Sequence, residues 1–458
     1  MKRYLKIVFS LLGITAGIAI ALYAYTFFTA NEDVASGNGD ALSATESSDN
    51  LTTEELESLE AERLEKDLLA AKQKEEKRLQ AIQAWLTESG SEQIRLSLTK
   101  VMNLGVMRYE AAEPQITLAM VGDMLMHLRV TNSGKQDDGS MNFDHIFAPV
   151  KELISAADIA IGNQEVMLGG EALGYSGYPR FNTAYEFGDA LVEAGFDVML
   201  HSTNHTVDKG KEGAMNCLNY WKENHPQMGV VGLYGSQEER DTIYVYEKDG
   251  IRIAILNYTY GTNGLPVPSD MPFMVNLMTE SLIKKDIKAA KEVADFVVIC
   301  PHWGTEYVHY ATKNQKNWAK FFMECGADLC IGTHPHVIEP VEWIENDEGD
   351  RMLCYYSLGN FVNSTASNKI GVANRMLGAL ATVTIAKDRK SGEVYIKEYG
   401  AEPLVTYVPD VGKDIATMHL DDFTNELALK SMTYQKDPNF SVEFLQDLWQ
   451  EVMGNLPN

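Results

Sequence analysis

The pattern of apolar and polar positions changes texture twice along this chain. Residues 7–28 are about 22 uncharged, mostly apolar positions behind Lys2, Arg3 and Lys6, enough to cross the hydrocarbon core of a bilayer as a helix. The basic flank of such a helix stays cytoplasmic, so the remainder of the chain is expected outside the cell membrane. A cleaved signal peptide is the alternative, although its apolar region is usually shorter, about 7 to 15 residues. Residues 29–51 are polar, small and acidic, the composition of a flexible spacer. Thr52 and Glu55 then form a capping box ahead of a run, to Leu86, that is rich in helix formers and has no Gly or Pro. Its apolar positions keep no clean heptad, so residues 52–90 read as a charged stalk helix rather than a coiled coil. Residues 91–114 lead into the main body.

From residue 115 short apolar runs alternate with amphipathic stretches. The runs are "ITLAMV", "ADIAIG", "FDVMLHS", "VVGLY", "IRIAILNY", "ADFVVIC", "ADLCIG" and "MLCYYSL". Helical periodicity falls at 184–194, 210–224, 280–294 and 312–326. Such alternation predicts an α/β domain with largely buried strands. Asp249-Gly250, set between two strand-like runs, predicts a hairpin turn. Strands at 377–386 and 393–400 continue the β content, and "VEFLQDLWQEVM" predicts a closing helix.

Composition narrows the classes. The 458 residues leave room for one large domain with accessories. A formal net charge of -26 offers nothing basic to track a phosphate backbone, which argues against a nucleic-acid partner. The five cysteines show no CxxC pair or zinc-knuckle spacing, and Cys300, Cys330 and Cys354 lie in apolar runs that read as core.

The chemistry gathers at the ends of the predicted strands. "AMVGDMLMH" places Asp123 and, shortly after, His127; "AIGNQE" places Asn163 and Glu165; "VMLHSTNH" places Asn204 and His205; "VVICPHWG" places His302; "CIGTHPH" places His334 and His336. Ligands of open α/β sheets bind at the carboxyl ends of strands, where side chains distant in sequence converge. Any one of these residues alone reads as a hydrogen-bonded strand end; the repeated placement points to a metal site. Asp, Glu, Asn and several His without Cys suit Mn, Zn or Fe. A bridging carboxylate would permit two divalent ions. Pro335 is expected to hold His334 extended, with both flanking imidazoles serving the ions.

The segments "GDMLMH", "NQE", "TNHTVDKG", "HWGTEY", "GTHPHVIEP" and "YSLGNF" resemble, in order and spacing, the CapA family of poly-γ-glutamate capsule biosynthesis proteins, related to the calcineurin-like metallophosphoesterases. The likeness covers about residues 115 to 365. It implies a metallophosphoesterase-type β-sandwich flanked by helices over residues 115–405, with a helical extension over 406–458. It also implies metal ligation by Asp123, Glu165, Asn204, His302, His334 and His336. His205 takes the place of an acid or transition-state stabiliser, and Asp123 is counted with it in catalysis. Three departures stand out. His127 follows Asp123 by four residues where the phosphoesterases place a histidine two after. Thr203 occupies the place of a second asparagine, and Ile338-Glu339-Pro340 replaces a segment that often carries Gln. Arg129, Arg180, Lys209 and Tyr307 are candidate substrate contacts, since an acidic protein needs local cations to hold an anionic polymer.

Three readings follow. The first is a membrane-anchored, extracytoplasmic protein of poly-γ-glutamate capsule synthesis or export, with a binuclear metal centre and hydrolytic or transfer chemistry. The second is an extracellular metal-dependent phosphoesterase acting on a phosphorylated wall or lipid component. The third is a non-catalytic assembly subunit of a membrane synthase complex.

Overall fold

The computed structural model describes residues 113–364, 371–454 and Leu456, with Gln73 and Lys77 standing alone before them. The expected anchor and spacer lie outside these residues, as does the lead-in apart from Glu113 and Pro114. So does the expected stalk, apart from Gln73 and Lys77, which are helical and exposed. Among the described residues no helix is long and apolar enough to cross a membrane. Residues 111–458 form one compact unit.

That unit holds two mixed sheets. The first contains β1 (Gln115–Met124), β2 (Ile159–Asn163), β3 (Val198–Leu200), β4 (Gly229–Val231), β11 (Asn360–Val362), β12 (Leu377–Lys387), β13 (Val394–Tyr407) and β14 (Ala416–His419). Its order is β14-β13-β12-β1-β2-β3-β4, with β11 paired beside the end of β1. The second contains β5 (Tyr244–Lys248), β6 (Ile251–Thr259), β7 (Phe296–His302), β8 (Leu329–Ile331), β9 (Ile338–Glu345) and β10 (Arg351–Leu358), in the order β5-β6-β7-β8-β10-β9. β1 to β4 run parallel, as do β6, β7, β8 and β10. The carboxyl ends of these strands therefore gather on one side of each sheet.

Alternation along β6 shows how the layers stack. Ile251, Ile253 and Ile255 enter a core shared with Ile116, Leu118 and Met120 of the first sheet. Ala254, Leu256 and Tyr258 point the other way, onto helices α3 (Glu280–Val293) and α4 (Lys313–Cys325), through Ile283, Ile287, Phe322 and Met323. A strand buried on both faces is apolar throughout for this reason. Helices α1 (Glu186–Ala194), α2 (Gly210–Asn224) and α5 (Val442–Met453) complete the predicted set. Thr312 and Gln315 cap α4 reciprocally. The hairpin turn is present as well, with Asp249 at φ 52° and Gly250 at φ 73°.

The expected boundary after residue 405 falls inside β13, and β14 beyond it joins the first sheet. The C-terminal segment is thus part of the main body rather than a helical appendage. All five cysteines are unpaired, four of them buried.

One buried ion pair ties α3 to the second sheet. Arg240 Nη1 and Nη2 donate to the two oxygens of Asp286 at 3.0 and 2.5 Å, and the Tyr258 hydroxyl donates to the same carboxylate at 2.8 Å.

Candidate metal centre

β1 approaches β11 so closely that a Cβ at Gly122 would lie 1.9 Å from the Gly359 carbonyl oxygen. Only glycine permits this contact, and the contact seats Asp123. The Asp123 N–H donates to Gly359 O at 2.9 Å, and its carboxylate, fully buried, turns into the space between the sheets. Asn163 Nδ2 donates to Oδ1 at 2.8 Å, and the His334 N–H reaches both oxygens at 3.2 and 3.1 Å. His336 Nδ1 stands 3.0 Å from Oδ2. Burial alone would raise the Asp123 pKa; the His336 hydrogen bond and charge, then His302 and the His334 N–H, bring it below the ordinary carboxylate value.

Glu165, just past β2, is the centre of the group. It is fully buried, and neither carboxylate oxygen has a hydrogen-bond partner. Three imidazoles surround Oε1: His302 Nε2 at 3.6 Å, His336 Nε2 at 3.8 Å and His205 Nε2 at 3.9 Å. An uncompensated buried carboxylate costs several kcal/mol, so this pocket calls for positive charge. His336 partly supplies it. Burial pushes its pKa down, but the Glu165 charge, the Asp123 hydrogen bond and charge, and Glu306 lift it to about 9. His334 goes the other way: burial, then His302, His336 and His205, hold it well below its usual value. Its buried Nδ1 has no partner, which leaves a neutral imidazole of the kind a metal takes.

The His-Pro-His segment is not the extended dipeptide expected. His334 has φ 99° and His336 φ 59°, a region that costs non-glycine residues about 1–3 kcal/mol each. The left-handed backbone turns the two rings toward the pocket from adjacent positions, with centroids 5.6 Å apart. Strain of this kind persists where surrounding structure imposes it.

Three overlapping groups could hold a cation: Glu165, His302 and His334; Asp123, Glu165 and His336; and Glu306, His334 and His336. Asn204 joins the first, since its Oδ1 lies 2.9 Å from His302 Nε2. Glu165 is common to the first two, the position of a bridging ligand. The residues present therefore fit divalent metal through an orphaned carboxylate, an orphaned imidazole nitrogen and a donor set of oxygen and nitrogen.

His205 faces Glu165 with one nitrogen and offers the other, Nδ1, to Asp208 Oδ2 at 2.7 Å. Asp208 Oδ2 also accepts from the Phe181 N–H at 2.7 Å, which fixes the carboxylate that orients the imidazole. Thr203, at the place of the missing asparagine, donates to the Glu165 carbonyl at 2.9 Å and receives the His205 N–H at 3.2 Å. The departure from the family pattern thus still supports the site. His127 packs edge-on to Phe181, which in turn packs edge-on to His205; burial first, then His336, His205, Arg375 and Lys436, push its pKa down to about 4.

Of the candidate substrate contacts, Tyr307 has its ring 6.0 Å from that of His336. The Arg129 guanidinium donates to the Pro409 and Asp410 carbonyls. Arg180 is exposed, and Lys209 is the half-buried residue before α2. Sequence reasoning passed over Asp208, Glu306, Asn360 and Arg375. Asp208, Glu306 and Asn360 lie within the quoted "TNHTVDKG", "HWGTEY" and "YSLGNF"; an acid three residues after a candidate histidine was the available signal for Asp208. Nothing local marks Arg375.

The family model described as "Bacterial capsule synthesis protein PGA_cap" matches residues 117–365, just over half of the chain. The capsule biosynthesis protein CapA of Bacillus anthracis is 29% identical over 272 residues, 56% of this chain and 64% of that protein. The PGA biosynthesis protein CapA of Bacillus subtilis (strain 168) is 29% identical over 252 residues, 54% and 63% respectively. The chain thus spans less than two thirds of the length of either relative. Among solved structures, a 5'-nucleotidase precursor from Thermus thermophilus aligns over 74% of this chain and 59% of its own, at 14% identity and a TM-score of 0.40. The calcineurin-like phosphoesterase YfkN from Bacillus subtilis aligns over 74% and 97%, at 12% identity and a TM-score of 0.36. At these scores the structural likeness carries no functional argument.

Proposed function

The chain belongs to the bacterial capsule synthesis family PGA_cap, and on that premise we propose that it acts on an anionic polymer such as poly-γ-glutamate, in capsule synthesis or export. In this reading it is anchored in the cell membrane by residues 7–28, with residues 115–458 outside the cell and available to membrane synthase subunits. Two divalent ions, Mn, Zn or Fe, serve the site. The observation that carries the proposal is Glu165, a fully buried carboxylate without a partner, faced by three imidazole nitrogens within 4 Å.

Bound there, such ions supply a hydroxide near neutral pH and stabilise charge on the reacting oxygens. Glu165 would bridge them. Asp123 and His336 would complete one side, Asn204, His302 and His334 the other. Asp208 accepts from His205 Nδ1, so that His205 Nε2 faces the pocket and moves a proton at the leaving group. Asn163 holds Asp123 in place through its amide. The dyad of His205 and Asp208 favours a catalytic site over an assembly subunit, because a structural metal alone needs no oriented proton carrier.

The test is metal content and polymer production in Asp123→Asn and His336→Ala strains. Loss of both supports the proposal; retention of both contradicts it. The same donor set serves a phosphoesterase. Turnover of a generic phosphodiester by the purified protein, abolished by the same substitutions, would move the substrate to a phosphorylated wall or lipid component.

A further inference from the structure

All six proposed metal ligands are buried, yet a centre that takes its substrate from solvent needs an open side. One acid stands there. Glu306 is exposed, while an oxygen of its carboxylate, a ring nitrogen of His334 and one of His336 lie within 4.8 Å of one another. His334 is only 3% exposed, and its buried Nδ1 has no hydrogen-bond partner, so the ring keeps a donor nitrogen for a cation. In the proposed ligand set His334 lies on one side of Glu165 and His336 on the other. Glu306 is therefore near a ligand of each side.

The backbone that carries Glu306 is pinned to the segment of the two histidines. The Trp303 N–H donates to the Thr333 carbonyl and the Thr333 N–H to the Pro301 carbonyl, both at 3.0 Å. The Tyr307 N–H donates to the Pro335 carbonyl at 2.8 Å. Between these bonds Gly304 has φ 94°, and a Cβ there would meet Gln315 Nε2 at 2.8 Å and Pro335 Cγ at 3.1 Å, so glycine lets the two segments lie this close. Tyr307 follows at φ 68°, its ring 6.0 Å from that of His336, with the Arg375 Cζ 3.6 Å from its centre. Asn360 Nδ2 donates to the carbonyls of both His336 and Arg375, at 3.0 and 2.9 Å, which ties this contact to the same histidine. A positive φ at a non-glycine residue persists where surrounding contacts impose it, as at ligand clamps. Beside His334 lies the Tyr260 ring, at 4.7 Å. After burial, the Glu306 charge raises the pKa of both phenols, which sets the carboxylate near both rings.

We propose that Glu306 is an exchangeable ligand of the metal centre, whose carboxylate closes the solvent side and is displaced by a carboxylate or phosphate group of the substrate. The inference rests on the proposed binding of divalent ions around Glu165. Two such ions outweigh the charges of Asp123 and Glu165, so the loaded centre attracts an anion although the whole chain carries -26. Glu306 supplies that anion from the chain itself. Asp123 and Glu165 are fully buried and hold their places, whereas the exposed Glu306 is the acid of this group that solvent reaches and an incoming anion can replace.

The experiment uses the full chain and measures Mn binding by calorimetry, then binding of inorganic phosphate and of poly-γ-glutamate oligomers to the protein saturated with Mn. Glu306→Gln and Glu306→Ala are expected to weaken Mn binding about tenfold or more. The same variants should bind an anion about threefold or more tightly, because a competing charge is gone. Thermal unfolding of the metal-free variants should match wild type, since the substituted side chain is exposed. Opposite signs for metal and anion are the signature: a surface acid that merely repels polyanions would change the anion alone. Tighter binding of the oligomer assigns the displacing group to a carboxylate, and tighter binding of phosphate alone assigns it to a phosphorylated chain; either supports the exchange. Mn affinity within twofold of wild type in both variants, or anion binding that does not tighten, would overturn it. If Mn binds the wild type, is lost in Glu165→Gln and is unchanged in the Glu306 variants, this inference fails and the metal-centre reading stands. A wild type that takes up no Mn overturns both.

Discussion

Two buried carboxylates of this protein lead opposite lives. Asp286 is met by both terminal nitrogens of Arg240 and by the Tyr258 hydroxyl. Glu165, equally inaccessible, has no hydrogen-bond partner and a ring of imidazoles at 3.6 to 3.9 Å. The first is neutralised by the fold itself and holds a helix to a sheet. The second is answered only in part, by His336 at 3.8 Å, and has room for a cation beside it. A buried acid is thus a functional signal when its charge is only partly answered, and a structural one when it is fully paired.

The contrast can be broken by substitution. Arg240→Ala leaves Asp286 charged and unpaired, and should cost on the order of 3–5 kcal/mol in chemical denaturation. Metal content should not change. If it falls along with stability, the two carboxylates are not independent.

Glu339 is a third case, an acid with a single neutral partner. Gln315 Nε2 donates to it at 2.5 Å, and burial, only partly opposed by that bond, pushes its pKa up to about 8. A raised folded-state pKa means that the native protein binds the extra proton. The contribution of Glu339 is full below its unfolded value near 4.5 and is lost as pH rises through about 8. Glu339→Gln should therefore match wild type near pH 4.5 and exceed it by on the order of a few kcal/mol above pH 8. Denaturation at the two pH values checks this; a gap largest at low pH would contradict it.

Glu165→Gln should do what no substitution at Asp286 does. Removing a buried charge that His336 answers only in part should shift the stability of the metal-free protein by no more than about 1–3 kcal/mol while abolishing metal retention. Thermal denaturation with and without Mn separates the two effects. Thr203→Val should be the mildest change, costing about 1 kcal/mol and about 10-fold to 100-fold in metal affinity through the loosened Glu165 backbone.

Much of this was legible in the sequence, and for a definite reason. Periodicity is a local property, so the strands ending at Met124, Asn163, His302 and Ile331 and the helices at 186–194 and 442–453 could be read from their own residues. Strand ends then predicted which side chains would meet. What escaped depends on contacts between distant segments. The positive φ of His334 opposes what Pro335 alone implies, and the segment is held by distant groups, Asp123 of β1 and Asn360 of β11. Arg375 and Tyr307 are 68 residues apart (375 − 307) with no shared motif. Asn360 gained its role from an amide placed between His336 and Arg375. β14 escaped because four residues, Ala416–His419, are too few for a pattern.

The central claim is that Glu165 is a ligand that awaits metal. The most direct measurement is metal content by mass spectrometry of the full chain purified without a histidine tag, for wild type and Glu165→Gln. The account predicts close to two transition-metal equivalents in the wild type and near none in the variant, with both folded. No bound metal in the wild type after reconstitution with Mn or Zn, or equal metal in both proteins, would contradict it.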